Sequence, residues 1–379
     1  MNFKNNIVIH MFFGLTFFIS GLFINVIQFI LYNTLAWFDI QRFRRINFYL
    51  NYSMWSQIVA LAHWWADTEL TIYYPDENSL KLSAPNHMFC LMNHSFEIDW
   101  VMSWLAVDHY QKLGNAKSFV KRSIRFIPII GWSWIFGEFA FLERKLQKDS
   151  ANIVKALKNF LQFEHPTSLL FFAEGTRFTE KKHETSIQFA KERGLPELKY
   201  HLLPRPRGFN LAVQTFKEEK ENVLVAQIQL RFPKNQPEPT FTSLLKGEKL
   251  KADMFIRIFP LTDIPTDSEK ATTDYLYKIY QDQDELAEYH AKNDCFPGVK
   301  KVIHRRKESL LNTMAWTGIT AIILPYLLGK IVINSSWLVV GIIAAVIVLG
   351  LISVKIMIDS TKVNKSSSSY GMENQKKQQ

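Results

Sequence analysis

Long stretches without a charged residue lie near both ends of the chain, and they limit what it can fold into. Residues 5–38 contain no Asp, Glu, Lys or Arg, and two further uncharged runs, 310–329 and 331–354, follow near the carboxyl end. A helix needs about 20 apolar residues to cross a bilayer. Each run is long enough, so the sequence predicts a membrane helix at the amino end and a transmembrane hairpin at the carboxyl end.

A cleaved signal peptide is the alternative for the first run. Such a peptide has an apolar core of about 7–15 residues and a small-residue cleavage site. This run is longer, which favours an uncleaved anchor. In the carboxyl-terminal pair, Pro325 is expected to kink a helix rather than to end it. Asn334, Ser335 and Ser336 form the predicted turn of the hairpin, since one helix across both runs would exceed any bilayer thickness.

The distribution of basic residues predicts how the chain is oriented. The formal net charge of +10 suits an anionic membrane surface, phosphorylated substrates or nucleic acid alike. Basic residues follow the first run and flank the hairpin: Arg42, Arg44, Arg45, Lys300, Lys301, Arg305, Arg306, Lys307, Lys355 and Lys362. The positive-inside rule then predicts a lumenal amino terminus and a cytosolic middle region. The glycosylation sequons at Asn51 and Asn93 are expected to stay unmodified there.

These features divide the chain into four parts. They are an amino-terminal membrane anchor, a cytosolic domain, the hairpin and a polar tail, over residues 1–38, 39–308, 309–358 and 359–379. The tail is rich in Ser and is predicted to be disordered. It ends with Lys376 and Lys377 followed by two Gln. This is the form of a retrieval signal for the endoplasmic reticulum. Two lysines in a solvated tail also occur often by chance.

Between the membrane segments, β-type runs alternate with amphipathic helices. Strands are predicted over residues 87–92, 118–120, 138–142, 168–173, 223–231 and 253–259. Helices are predicted to begin near Ser95, Asp149 and Asp267. Such alternation is typical of an α/β fold with a partly parallel sheet. Two aromatic stretches, 55–65 and 127–141, suit either an ordinary core or a face at the membrane interface.

The segment that points most directly to chemistry is residues 93–99, with the sequence Asn-His-Ser-Phe-Glu-Ile-Asp. Residues five apart do not share a face of a continuous helix. His94 and Asp99 therefore meet only if His94 lies in the strand-to-helix turn, with Asp99 one turn inside the helix. Asp99 then accepts a hydrogen bond from one ring nitrogen, and the other nitrogen can take a proton from an alcohol.

Taken alone, this spacing is weak evidence. A chain with ten histidines has an Asp five residues after one of them in about one sequence in three by chance. Asn86 and His87 form another Asn-His pair, but the fifth residue after His87 is Met92, so that pair lacks the carboxylate.

Further segments place cationic residues after apolar strands. A Gly turn that ends in arginine can present N–H groups and a guanidinium to a phosphate. The segments contain Glu174, Gly175, Thr176 and Arg177; Arg144; Pro204, Arg205 and Arg207; and Lys121 with Arg122. Each of them alone suits a capped turn or a solvated charge. Together they predict a pocket for phosphate groups.

The order of these motifs resembles a known family. Asn-His-x4-Asp, an arginine-ended apolar strand, Glu-Gly-Thr-Arg and an apolar-Pro turn resemble the four-block signature of the glycerolipid acyltransferase superfamily. Within it, the chain is similar to the gamma, delta and epsilon branch of the 1-acylglycerol-3-phosphate acyltransferases, from about residue 85 to the hairpin. The resemblance implies a glycerolipid acyltransferase-like mixed sheet flanked by helices, with acyl-CoA and lysophosphatidic acid as substrates and the lipid bilayer as partner.

The resemblance also implies roles for single residues. His94 and Asp99 would be catalytic. Substrate binding would involve the residues of the other blocks: Arg144, Glu174, Gly175, Thr176, Arg177, Lys121 and Pro204. Neither a metal nor a cofactor is implied, because acyl-CoA is a co-substrate. One departure is Ser123-Ile124, where relatives commonly have Glu-Leu, and it bears on local packing and acceptor preference.

Three alternatives stay open at this point. The first keeps the chemistry and changes the acceptor to another lysophospholipid. The second is a non-catalytic membrane protein that binds lipid on the same scaffold. The third, a nucleic-acid binder, is disfavoured because the chain has no motif of that kind and the membrane runs account for its charge. A covalent acyl-enzyme is not indicated, because the chain lacks G-x-S-x-G.

Overall fold

A computed structural model describes residues 3–77, 79, 87–143, 146–219, 222–334 and 336–362. The strands are β1 Glu69–Tyr74, β2 Met88–Met92, β3 Ala116–Lys121, β4 Ala140–Leu142, β5 Ser168–Phe171, β6 Leu224–Arg231, β7 Lys251–Pro260 and β8 Val299–Val302. The helices are α1 Ile7–Asn33, α2 Leu35–Phe38, α3 Ile40–Ala60, α4 Asp99–His109, α5 Ile130–Phe136, α6 Leu146–Leu161, α7 Glu180–Arg193, α8 Pro206–Glu218, α9 Phe241–Leu245, α10 Glu269–Asn293, α11 Lys307–Gly318, α12 Leu324–Asn334 and α13 Trp337–Thr361.

The strands form one mixed sheet, as predicted. Their order is β4-β3-β5-β2-β6-β7-β1-β8. The pairs around β2 and β3 are parallel, and β7 pairs antiparallel with β6, as β8 does with β1. All six predicted strands are present, with small shifts at their ends. The sequence analysis missed β1 and β8. The short β8 has the polar sequence Val-Lys-Lys-Val and lies at the sheet edge, so it lacks the apolar alternation of a covered strand.

Helices cover both faces of the sheet because side chains alternate along each strand. In β2, Phe89 and Leu91 enter a core with α6, α8 and α10, whereas Cys90 and Met92 enter a second core with α3, α4 and α5. The parallel strands β2, β5 and β6 are therefore buried on both sides. Their carboxyl ends open at one edge, where α/β sheets bind ligands.

Helix α1, which contains most of the predicted anchor, packs against α3, α5 and α13. Of the apolar window in Ile7–Phe38, 44% is buried inside the protein, against 6% and 11% for the two carboxyl-terminal spans. Polar side chains connect α1 to α3: the Gln28 amide donates to Asn47 Oδ1 at 2.7 Å and to Asn51 Oδ1 at 2.9 Å. Helix α1 therefore belongs to the folded domain and is more than a tether.

The amino end of α1 also contacts the domain. Lys4 Nζ donates to the carbonyl oxygen of Trp65 at 2.6 Å, and the ring of Phe13 packs edge-on against the Trp65 ring. Trp65 closely precedes β1. The described start of the chain thus lies beside the domain that contains the sheet, and the lumenal orientation of the amino terminus stays a prediction.

The carboxyl-terminal hairpin is present. Helices α11 and α12 form one apolar segment, Lys307–Asn334, and α13 follows after the predicted turn. A π-helical turn, Ile319–Ile323, immediately precedes the turn that contains Pro325, as expected where proline removes a backbone donor. With Ile7–Phe38, the described residues contain three helices long and apolar enough to span a membrane. The dilysine end lies outside the described residues.

Candidate active site

The catalytic turn predicted around His94 connects the carboxyl end of β2 to α4. Nδ1 of His94 lies 3.0 Å from Oδ2 of Asp99. The same carboxylate accepts the backbone N–H groups of Ser95 at 2.9 Å and Phe96 at 3.0 Å. Asp99 therefore orders the turn as well as the ring. The spacing argument correctly predicted the contact. The helix begins at Asp99, later than predicted, because this carboxylate holds the preceding N–H groups in a turn.

Asn93, which precedes the histidine, fixes the turn to the neighbouring strand. Its Oδ1 accepts the N–H of Leu230 at 2.7 Å, and its Nδ2 donates to the carbonyl oxygen of Leu230 at 3.2 Å. The His94 ring stacks on Phe172, with centroids 4.0 Å apart. The side chain of Asn93 is fully buried, and the side chain of Asn51 is nearly so. Both sequons are inaccessible in the folded chain, so their glycosylation does not report orientation.

Glu174 lies beneath the turn, and its part in substrate binding stays a prediction. It is fully buried, and its carboxylate accepts the N–H of His94 at 2.8 Å and the N–H of Leu202 at 3.3 Å. Burial raises the pKa of Glu174 to about 8, while the two backbone N–H groups lower it. The Glu174 carboxyl group therefore joins the His94 turn to the loop that contains Leu202.

The residues after Glu174 turn outward. Gly175 has φ +70°, and a Cβ there would lie 3.2 Å from Cδ of Arg205. Glycine therefore permits both the left-handed backbone and the close approach of that arginine. Thr176 and Arg177 line the neighbouring cavity, as do the predicted residues Lys121 and Pro204. Arg144 lies outside the described residues, and its role stays a prediction.

Lys182 is a site residue that the sequence analysis missed. It is buried, it lines the cavity, and its Nζ donates to Oγ1 of Thr176 at 2.9 Å and to the carbonyl oxygen of Arg177 at 3.1 Å. Thr179 caps α7 by accepting the N–H of Lys182, which turns that lysine back toward the Gly turn. The sequence Thr179-Glu180-Lys181-Lys182 is typical of a helix start, and it could have indicated that Lys182 lies near the Gly turn.

A cavity of about 1190 Å³ joins these groups. Its rim carries His94 and a set of basic side chains, namely Lys121, Arg177, Lys182, Arg193, Arg205 and Arg207. Its interior lies between the sheet and α3 and α4. Apart from the buried Lys112 and Lys117 it is mostly apolar, with Trp55, Ile58, Cys90, Trp104, Ala226 and Ile228 in its wall. The arrangement can hold an anionic group beside a base and an apolar chain beneath it.

No three His, Cys, Asp or Glu side chains come together as candidate metal ligands within the part of the chain that the structure describes.

Comparison with known proteins gives a consistent result. Residues 76–215 match the family model described as Acyltransferase, and residues 243–316 match the one described as Acyltransferase C-terminus. The chain is 36% identical to 1-acyl-sn-glycerol-3-phosphate acyltransferase gamma of Mus musculus and of Homo sapiens, over 99% of this chain and 98% of each relative. It is 35% identical to 1-acyl-sn-glycerol-3-phosphate acyltransferase delta of Homo sapiens, over 97% of this chain and 96% of that protein.

Proposed function

The chain belongs to the 1-acyl-sn-glycerol-3-phosphate acyltransferases, and from this premise we propose that it transfers an acyl group from acyl-CoA to the sn-2 hydroxyl of lysophosphatidic acid, with His94 as general base. The product is phosphatidic acid. One observation carries the assignment of the base: Nδ1 of His94 lies 3.0 Å from a buried carboxylate of Asp99, at the rim of the cavity.

The proposed reaction is a direct transfer. His94 Nε2 takes the proton of the sn-2 hydroxyl as that oxygen attacks the thioester carbonyl. The new C–O bond forms, the C–S bond breaks, and the coenzyme A thiolate leaves and recovers the proton from the imidazolium. Asp99 fixes the tautomer and stabilises the positive charge on the ring. General-base help of this kind contributes about 10²–10⁴-fold to the rate.

The position of Cys90 supports direct transfer over an acyl-cysteine intermediate. This cysteine lies on β2 in the apolar wall of the cavity, and burial raises the pKa of its thiol to about 12. The thiolate is the nucleophilic form, and it is scarce at neutral pH for such a group. Cys295 lies at a separate small cluster around Phe296.

The basic rim supports an acceptor with a phosphate monoester. Arg177 and Lys182 lie next to each other at the Gly turn, and Lys121 lies on the same rim. Cations placed in this way favour the doubly charged phosphate of lysophosphatidic acid over a choline head group, whose own cation would be repelled. Other lysophospholipids are the alternative acceptors.

The apolar interior suits the acyl chain. It extends from His94, after the carboxyl end of β2, to Met88 at the amino end of that strand and Tyr110 after α4. The six residue steps from Met88 to His94 correspond to roughly 20 Å of extended chain. A fatty acyl chain placed there would leave its thioester at the base.

For the location of the protein, we propose the endoplasmic reticulum membrane with the catalytic domain on the cytosolic side, where acyl-CoA is available. The dilysine end and the basic residues beside the hairpin support this proposal. A cysteine introduced at the exposed Lys191 on α7 should react with an impermeant maleimide in sealed microsomes without detergent. Labelling only after permeabilisation would reverse the orientation.

The function is tested with membranes that contain wild type, His94→Ala or His87→Ala, labelled acyl-CoA and lysophosphatidic acid. His87 is the matched control, since it accepts the N–H of Thr167 at 3.3 Å at the opposite end of β2 and does not line the cavity. Wild type and His87→Ala should form phosphatidic acid, and His94→Ala should lose at least about 10²-fold in rate. Normal turnover by His94→Ala would refute the base, and transfer only to lysophosphatidylcholine would change the acceptor. Absence of all acyl transfer by folded wild type would favour the non-catalytic alternative.

A further inference from the structure

A second His–Asp pair lies behind the active site, with a buried His and a partly buried Asp. His201 is fully buried, and its Nδ1 donates to Oδ1 of Asp284 on α10 at 2.8 Å. Its Nε2 lies 2.9 Å from Oε1 of Gln229 on β6. Neither member of the pair lines the cavity. The proposed reaction requires one base and one carboxylate, so this pair has another purpose.

Asp284 fastens a short loop segment to α10. Besides the His201 ring, its carboxylate accepts the N–H of Lys199 at 2.8 Å and the N–H of Tyr200 at 2.7 Å. Three consecutive residues, 199–201, thus donate to one acidic side chain. Hydrogen bonds to an ionised carboxylate are about twice as strong as neutral ones, so this segment has little freedom to move relative to α10.

The next residue continues the connection to the base. Leu202 donates its N–H to Glu174 Oε2 at 3.3 Å, and Glu174 Oε1 accepts the N–H of His94 at 2.8 Å. His94 in turn contacts Asp99. A series of hydrogen bonds, with the backbone of residues 199–202 as its middle part, therefore connects α10 through Glu174 to the backbone of the catalytic histidine.

We propose that Asp284 is a positioning residue: through this series it sets where the backbone of His94 lies, and so how well the imidazole aligns with the acceptor hydroxyl. The proposal rests on the function proposed above, with His94 as base. Misplacement of a catalytic group by about 1 Å can cost about 10²-fold in rate. Because Asp284 contacts neither substrate nor the reacting atoms, its loss should act on turnover and leave substrate binding nearly unchanged.

The same helix supplies an internal control. Six residues beyond Asp284, His290 of α10 pairs through Nε2 with Oδ2 of Asp253 at 3.0 Å, and both side chains are buried. This pair packs near Phe296 in the small separate cluster. It resembles the first pair in chemistry, but among the described residues no hydrogen bond joins it to residues 199–202 or to Glu174. A role in folding alone predicts similar consequences for the two pairs.

The test compares purified full-length wild type with Asp284→Asn, Asp253→Asn, Glu174→Gln and the Asp284→Asn/Glu174→Gln double variant, with kcat and KM measured for both substrates. Asp284→Asn should lower kcat about 10- to 100-fold, with both KM values within about twofold. Asp253→Asn should keep kcat within about twofold. The double variant should be no slower than Glu174→Gln alone, because both changes interrupt the same series.

Thermal unfolding in detergent shows whether the variants are folded. If Asp284→Asn does not fold, His201→Gln replaces it, with His290→Gln as its control. His201→Gln retains the two backbone bonds to Asp284, so a kcat about threefold lower than that of His290→Gln is expected.

The positioning role would be overturned if Asp284→Asn had the same kcat as Asp253→Asn, or His201→Gln the same kcat as His290→Gln. Additive losses in the double variant would overturn it as well. Wild type that fails to acylate lysophosphatidic acid would overturn the proposed function instead. If wild type is active, His94→Ala is inactive and each variant has the same kcat as its control, only the positioning role is overturned.

Discussion

The rim and the interior of the cavity are built from the same strands in different ways. The rim carries side chains from the turns that follow the carboxyl ends of β2 and β5, together with basic side chains from the ends of β3 and α7 and from the start of α8. Hydrogen bonds such as those from Ser95 and His94 to Asp99 hold the turn after β2. The interior consists of side chains within the strands and from α3 and α4, held by packing alone. Hydrogen-bonded turns allow little substitution, whereas packed walls allow changes that preserve volume. We therefore expect rim changes to alter the rate and interior changes to alter which acyl chain is used.

The largest effect is expected at the rim from Asp99→Asn. An amide there cannot accept from the His94 ring and from both turn N–H groups, so the wrong tautomer and a disordered turn should lower kcat about 10³-fold. Steady-state transfer to lysophosphatidic acid measures this. Asp108→Asn is the control, because Asp108 lies at the other end of α4, buried against Arg306 at 3.1 Å, away from the base. More than a tenth of normal turnover in Asp99→Asn would refute the pairing.

A smaller effect is expected from Arg177→Gln. The loss of one charge-assisted hydrogen bond to the phosphate should raise KM for lysophosphatidic acid about tenfold, equivalent to about 1.4 kcal/mol. The change should be smaller for lysophosphatidylcholine. Arg257→Gln is the matched control, since Arg257 is exposed and pairs with Asp282 at 3.3 Å. A rise in KM for acyl-CoA alone would assign Arg177 to the donor.

The contrast between rim and interior also explains what the sequence can predict. His94 and Asp99 are five residues apart, so one local motif defines both the turn and the contact. The direction in which a side chain faces is not local. The motif predicts Glu174 beside the phosphate site, but its contacts with the backbone N–H groups of His94 and of Leu202 follow from the assembled fold and are not readable from the motif.

The interior was not predicted because it depends on pairing between distant segments. Cys90 and Ala226 lie directly opposite each other on β2 and β6, and both face the cavity. Their register follows from the assembled sheet, and no local pattern encodes it. The two aromatic stretches show the same limit: Trp55 and Trp134 line the cavity wall, whereas Trp132 is 46% exposed. Neither a core nor a membrane-interface assignment describes both stretches.

The smallest effect is expected in the interior, from Ala106→Leu. Ala106 lines the cavity two turns along α4 from Asp99, toward Tyr110, so added volume there should shorten the space for the acyl chain. The ratio of turnover on palmitoyl-CoA to turnover on a shorter acyl-CoA should fall severalfold, while turnover on the shorter donor stays near normal. Ala212→Leu is the control, because Ala212 is fully buried in the core on the opposite face and should carry a similar overpacking cost, about 1–3 kcal/mol, without changing the ratio. If Ala106→Leu lowers turnover equally on acyl-CoA donors of all chain lengths, the interior affects the rate as the rim does. The distinction between rim and interior would then fail.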